Sequence, residues 1–217
     1  MKSLVILIVM VTTVHCNICC YPNEWQSTVN YLLLDSSPDA KAVVPLLYDE
    51  YFDTKDEIVR TDIHHYNLSV LTLYKENITY IFNDKQCSNY TPGSWDGVIH
   101  CIPSNAKPSP KFRLGLAPGI DVVDYIWTGP SGEIITVGVT NNCTPVLQQI
   151  LFRSENLQDI EYNIQEFENF VPHVDDPKKF IVPDICKHKN ELLPVWPLMG
   201  DAHHHLVKKY VEKRFKL

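Results

Sequence analysis

The stretch that most limits the fold is residues 137–186. It holds Cys143, then the alternating segment Ile160-Glu161-Tyr162-Asn163-Ile164-Gln165, then Phe170, Pro172, Asp175, Asp176, Pro177, Phe180, Pro183 and Cys186. Alternation with a period of two is the pattern of a strand with one wet and one buried face. The three prolines forbid a continuous helix in the closing part, because each removes an N–H and fixes its own φ. A non-helical, aromatic-anchored segment ending in cysteine is expected to lie as a strap across a β body.

The same alternation recurs along the chain. Strands are expected at residues 29–34, 43–52, 57–66, 68–75 and 77–83, then at 121–127, 133–139, 146–153 and 160–167. Residues 68–83 form a hairpin turning near Glu76. Residues 121–139 form a second, over Thr128-Gly129-Pro130-Ser131-Gly132, which supplies turn chemistry. Residues 87–111 carry four prolines and read as loop. A helical stripe is expected only near the end, through Leu206, Val207, Tyr210, Val211 and Phe215. The fold class is therefore mostly β, with antiparallel sheets stacked so that each covers an apolar face of the other, plus a short C-terminal helix.

Lys2 followed by an apolar run from Leu4 to Val14 is the pattern of a secretory signal, with cleavage expected after Cys16. The domains are then residues 1–16 as signal peptide, 17–190 as one β domain and 191–217 as a basic, helical tail. The whole chain has net charge −7, and removing Lys2 with the signal makes it −8. That balance argues against nucleic acid and against adsorption to anionic membranes. The charge is uneven, since residues 187–217 hold seven basic and three acidic side chains.

Six cysteines remain after cleavage: Cys19, Cys20, Cys87, Cys101, Cys143 and Cys186. An even number in an exported chain favours disulfides, but the six permit about 15 pairings and spacing does not choose among them. Asn-x-Ser/Thr sequons at Asn67, Asn77, Asn89 and Asn142 point to a glycoprotein. A glycan on Asn77 must face water, so Ile78, Tyr80 and Phe82 are expected to point inward.

Several residues and motifs, in order, resemble the ependymin-related family. They are Cys20-x-Pro22-x-x-Trp25, Leu73-Tyr74-Lys75, Tyr80-Ile81-Phe82 leading to Lys85-Gln86-Cys87, Ile102-Pro103, Leu114-Gly115 and Trp127. Cys143-x-Pro145-Val146 and Asp176-Pro177-x-x-Phe180-x-x-Pro183-x-x-Cys186 complete the set. The resemblance implies a secreted or lysosomal glycoprotein that forms homodimers. It implies two stacked antiparallel sheets around an apolar pocket, similar to bacterial lipoprotein carriers. Calcium binding, cell–matrix adhesion and binding of lipids or gangliosides go with the family. By the same resemblance Cys20 pairs with Cys143 and Cys87 with Cys186, which leaves Cys19 for Cys101.

The expected pocket is lined by the inward faces: Ile78, Tyr80, Phe82, Tyr125, Trp127, Val137, Tyr162 and Ile164. Such a cavity would hold an acyl chain or another apolar small molecule, although the same side chains could simply fill a core. Calcium needs converging oxygen ligands. Asp175 and Asp176 are the candidates, with Asp53 or Asp56 from another loop, although no EF-hand spacing occurs. His64 and His65 are not expected to share a metal, because neighbours in a strand point opposite ways, and His203-His204-His205 is read as an exposed helix start. No Gly-x-Ser-x-Gly, His-Glu-x-x-His or phosphate-cradling glycine loop occurs, so no catalytic residue is expected. The leading expectation is a non-enzymatic extracellular protein that binds an apolar or amphipathic ligand. The alternative is a calcium-dependent matrix or adhesive protein acting through its acidic, glycosylated surface.

Overall fold

A computed structural model describes residues 19–35, 45–153 and 160–187. The expected signal peptide and the basic tail, with its histidine triplet and helical stripe, lie outside the described residues.

Twelve strands are present among the described residues. They are β1 (Glu24–Asp35), β2 (Pro45–Asp53), β3 (Ile58–Ile63), β4 (Leu68–Leu73), β5 (Ile78–Phe82) and β6 (Cys87–Tyr90). After a long loop come β7 (Lys107–Pro108), β8 (Phe112–Leu114), β9 (Ile120–Thr128), β10 (Ile134–Thr140), β11 (Pro145–Arg153) and β12 (Ile160–Val171). A four-residue helix, α1 (Asp184–Lys187), ends the described chain. The mostly-β, antiparallel class agrees with the sequence. The pairing differs in one respect: the ladder runs unbroken in the order β6-β5-β4-β3-β2-β1-β12-β11-β10-β9-β7, with β8 beside β9. The strands therefore form one sheet, and the pairing of β1 with β12 welds the two ends of the chain at its centre.

The two faces of this sheet have different covers. On one face, here called inner, Trp25, Phe52, Val59, Ile135, Val137 and Val139 share a core cluster with Cys19, Tyr21 and Ile102. These residues come from β1–β3 and from β10, which are not neighbours in the ladder, so irregular chain at 19–21 and 95–106 bridges them. Trp95 anchors that loop, with its ring 5.5 Å from Phe52 and 5.1 Å from Tyr74. Val29, Tyr31, Leu46, Tyr48, Ile63 and Val70 continue the inner face.

On the opposite, outer face Leu71, Leu73, Phe82 and Cys87 are buried under Cys186, Val182 and Ile185. This is the expected strap, and it lies across β3–β6. Charge fixes it as well as grease. Arg60 and Lys179 both pair with Asp62, at 2.7 Å each, and Arg60 Nη1 also donates to the Lys179 carbonyl. Burial would raise the Asp62 carboxyl, but hydrogen bonds from Arg60, Lys179 and Ser69 outweigh it and hold the group below the usual carboxylate range. Burial would lower the Lys179 ammonium; its bonds to Asp62 and Tyr51 outweigh that and raise it.

A bulge opens the way to the strap. Gln26 pairs with Val171 but Thr28 pairs with Glu168, and Asn169 adopts a positive φ of 50°. Residues three apart on a regular strand face opposite sides. The extra residue instead puts Phe167 and Phe170 on the same side, at 6.0 and 5.4 Å from the Trp25 ring.

Three cystines close the structure among the described residues: Cys19–Cys143, Cys20–Cys101 and Cys87–Cys186. The last is the pair the family resemblance implies. The expected Cys20–Cys143 and Cys19–Cys101 pairs are corrected, because the two adjacent cysteines exchange partners. The reason is local. Cys20 forms an antiparallel bridge with Cys101, so their side chains meet. Consecutive residues of an extended chain point opposite ways, and Cys19 is turned toward Cys143.

Candidate functional site

Between the inner face and the loop at 96–103 lies a cavity of about 280 Å³. Register explains its lining. Trp127 of β9 sits opposite Ile135 of β10, and Ile135 opposite Ile150 of β11. Ile150 sits opposite Asn163 of β12, and Gln148 opposite Gln165. Gln165 in turn faces Tyr31 of β1. All of these line the cavity, together with Phe152. Val98, Ile99 and Pro103 form the opposite wall, and Pro130, Ser131 and Glu133 of the β9–β10 turn form one rim.

The cover is held by bonds that cross from the chain's start. The Tyr21 N–H donates to the His100 carbonyl at 2.8 Å, and the Ile102 N–H to the Cys19 carbonyl at 2.7 Å. With Cys20–Cys101 and Cys19–Cys143 these bonds pin the loop over the sheet.

One wall is apolar, through Trp127, Ile135, Ile150 and Phe152. The centre of the sheet is amide-lined, through Gln148, Asn163 and Gln165, which are only 3%, 7% and 3% exposed. The Tyr31 hydroxyl donates to Asn163 Oδ1 at 3.1 Å. Gln165 Oε1 is buried without a hydrogen-bond partner. Among the described residues no Lys, Arg or His lines the cavity, and the charged ones that do are Asp96 and Glu133.

The sequence placed some of these residues and misplaced others. Trp127 lines the cavity, and Tyr125 and Val137 stand beside it on the same face, in the core. Tyr162 and Ile164 point to the outer face. They share sides with Leu34 and Leu32, while Glu161, Asn163 and Gln165 face in. The parity is inverted because the polar set, not the apolar set, is the covered one. Ile78, Tyr80 and Phe82 also leave the pocket, since they pack on the outer face beneath the strap. The glycan argument fails there for a geometric reason. Asn77 sits in the β4–β5 turn with φ 55° and is exposed, so it belongs to neither face.

Asn67 and Asn142 are likewise exposed, whereas Asn89 is half-buried in β6. Asp175 and Asp176 are engaged locally. Asp175 accepts from the Gln26 side-chain amide and pairs with His173, and Asp176 caps the turn at Pro177–Phe180 by accepting from the Lys178 N–H. Asp53 accepts from the N–H groups of Lys55 and Asp56 within its own turn. Among the described residues no group of three or more His, Cys, Asp or Glu is placed to hold a metal ion. His64 is exposed and pairs with Asp49 at 3.0 Å.

The amide-lined strip is what sequence reasoning missed. Its signal was present, as Glu161, Asn163 and Gln165 at alternating positions, but a polar set normally marks the wet face.

No family model and no curated protein matches the chain. Among solved structures it is similar to a LolA-superfamily protein of Nitrosomonas europaea, at 12% identity and a TM-score of 0.39, over 76% of this chain and 93% of that one. A likeness that distant says nothing of a ligand.

Proposed function

We propose that this chain is a secreted, disulfide-bonded, non-enzymatic glycoprotein of the ependymin-related type. Its role is to hold an apolar or amphipathic small molecule in the cavity beneath the loop at 96–103. The observation that carries the reading is the cavity itself, about 280 Å³ between an aromatic–aliphatic wall and a stapled cover. That volume lies just under the roughly 300–1,000 Å³ of typical small-molecule sites. It suits a single short chain or a compact ring system better than a two-chain lipid. Three cystines fit an oxidising compartment, and export is the route that supplies one, with lysosomal delivery as the other destination.

Lipid extraction and mass spectrometry of protein secreted by a eukaryotic host should return a bound apolar compound. Ile150→Trp, which fills the cavity, should lose it. Folded protein that carries no compound and takes up none of a panel of single-chain amphiphiles removes the reading.

The proposed homodimer is supported by the bare part of the outer face. Leu47, Ile126, Ile134 and Ile160 are 46%, 43%, 46% and 39% exposed there, beside half-buried Leu32, Leu34, Tyr162 and Ile164. Exposed apolar side chains gathered on one face in this way are a feature of association sites. Ile134→Asp should shift the mass measured by light scattering to that of a monomer; an unchanged mass would place any interface elsewhere.

The second reading is calcium-linked matrix adhesion. It is supported by the acidic character of a cleft of about 370 Å³ on the outer face, which Asp49, Asp175 and Asp176 line together with Lys179 without converging on one metal position. It predicts matrix binding that a chelator abolishes and that Trp127→Ala leaves intact. The ligand-carrier reading predicts the reverse sensitivity.

A further inference from the structure

We infer that the guest of this cavity is a neutral amphiphile whose polar end carries a hydrogen-bond donor, and that Gln165 receives that donor. The inference rests on the binding role proposed above and adds the chemical class of the ligand.

The argument begins with an unmet demand. Gln165 is 3% exposed, lines the cavity, and keeps a buried carbonyl oxygen without a partner. Buried polar atoms are almost always hydrogen-bonded, and an orphan acceptor carries the full cost of its lost water. Its two inner-face neighbours in the ladder do not meet the need. Tyr31 commits its hydroxyl to Asn163, and the Gln148 side chain makes no hydrogen bond among the described residues. The amide strip borders the cavity, and a turn of the Gln165 side chain brings its unpartnered acceptor to whatever enters.

Charge narrows the class. An anionic head such as a carboxylate or phosphate would meet no cation among the described lining residues, and Asp96 and Glu133 would repel it. Taking an unpaired anion out of water is the most costly kind of burial. An amide or hydroxyl head pays no such penalty, and its N–H or O–H completes Gln165. The chain of the same molecule lies along Ile150 and Phe152 and on toward Trp127, with Ile150 directly opposite Asn163 in the ladder.

Three probes of equal chain length separate these cases: decanamide, decanoate and methyl decanoate, titrated calorimetrically against the folded, disulfide-bonded protein at pH 7.4. Decanamide should bind tightest, with each of the others weaker by about tenfold, the effect of one lost or mispaired buried hydrogen bond. Gln165→Leu should lower decanamide affinity by about the same factor and leave methyl decanoate unchanged, so that the two converge. If the variant does not fold, as judged by near-ultraviolet circular dichroism, the ranking on the native protein decides alone. Decanoate or methyl decanoate binding as tightly as decanamide overturns the donor-head inference and leaves a cavity carrier in place. Uptake of none of the three overturns the carrier reading, and this inference with it.

Discussion

Strands β3–β6 and strands β9–β11 are built from the same alternating code, yet they end in opposite situations. In the first group both faces are covered. Val70 and Ile81 pack inward, while Leu71, Leu73 and Phe82 pack under the strap. In the second group the inner face looks onto a cavity, and the outer face leaves Ile126 and Ile134 in solvent. The difference lies in what crosses each group. The strap is tied by Cys87–Cys186 and by the Arg60–Asp62–Lys179 cluster, and it covers only the β3–β6 side. A sheet of uniform pattern thus carries a half covered on both faces and a half that borders a cavity on one face and solvent on the other.

The comparison can be broken most sharply at the tie itself. Replacing Cys87 and Cys186 with alanine releases a bridge spanning a separation of 99 residues, and it should cost about 2–5 kcal/mol in urea unfolding. A cost near zero would mean that the strap is held by packing alone. Leu71→Ala, at a site with no exposure, should cost about 2–4 kcal/mol, whereas Ile134→Ala in the bare half should change stability by less than about 0.5 kcal/mol. Equal effects would erase the distinction between the halves.

Asp62→Asn leaves Arg60 and Lys179 without their carboxylate and should cost about 1–2 kcal/mol. The same cluster sets a pH window. The Asp62 pKa is lowered in the fold, so its contribution is present above the unfolded value of about 3.9 and is lost as pH falls through the lower folded value. The Lys179 pKa is raised, so its contribution is present below the unfolded value of about 10.4 and is lost as pH rises through the higher folded one. Hydrogen-exchange protection factors at residues 177–187, taken relative to the intrinsic rate at each pH, should therefore fall at both extremes in the native protein and lose that dependence in Asp62→Asn. Trp127→Ala should have a small effect on stability, since the side chain is half-buried, while lowering uptake of an apolar probe at least severalfold.

Strand positions were legible because a period of two survives any tertiary arrangement, and nine of the twelve strands fall where alternation placed one. The strap was legible for a related reason: prolines and a terminal cysteine leave an extended segment few alternatives, whereas its partner Cys87 was implied only by the family resemblance. The pocket was only partly legible. Trp127 was placed correctly, but Tyr162 and Ile164 were assigned by assuming that apolar side chains face in. On β12 that assumption fails, because Asn163 and Gln165 lie under the cover while Tyr162 and Ile164 look outward. Ile78, Tyr80 and Phe82 were misplaced because a sheet sealed on both faces has no wet side for the rule to use.

What the residues alone determined is local: alternation makes strands, glycine and proline make the hairpin at 128–132, and prolines make the strap extended. Which face of each strand meets the cavity, and which of Cys19 and Cys20 takes Cys143, was decided only when distant segments docked. Alternation specifies that two faces differ. It carries no information about which of them another part of the chain will cover, because that depends on contacts between β1, β12 and the loop at 96–103, far apart in sequence and adjacent only in the fold.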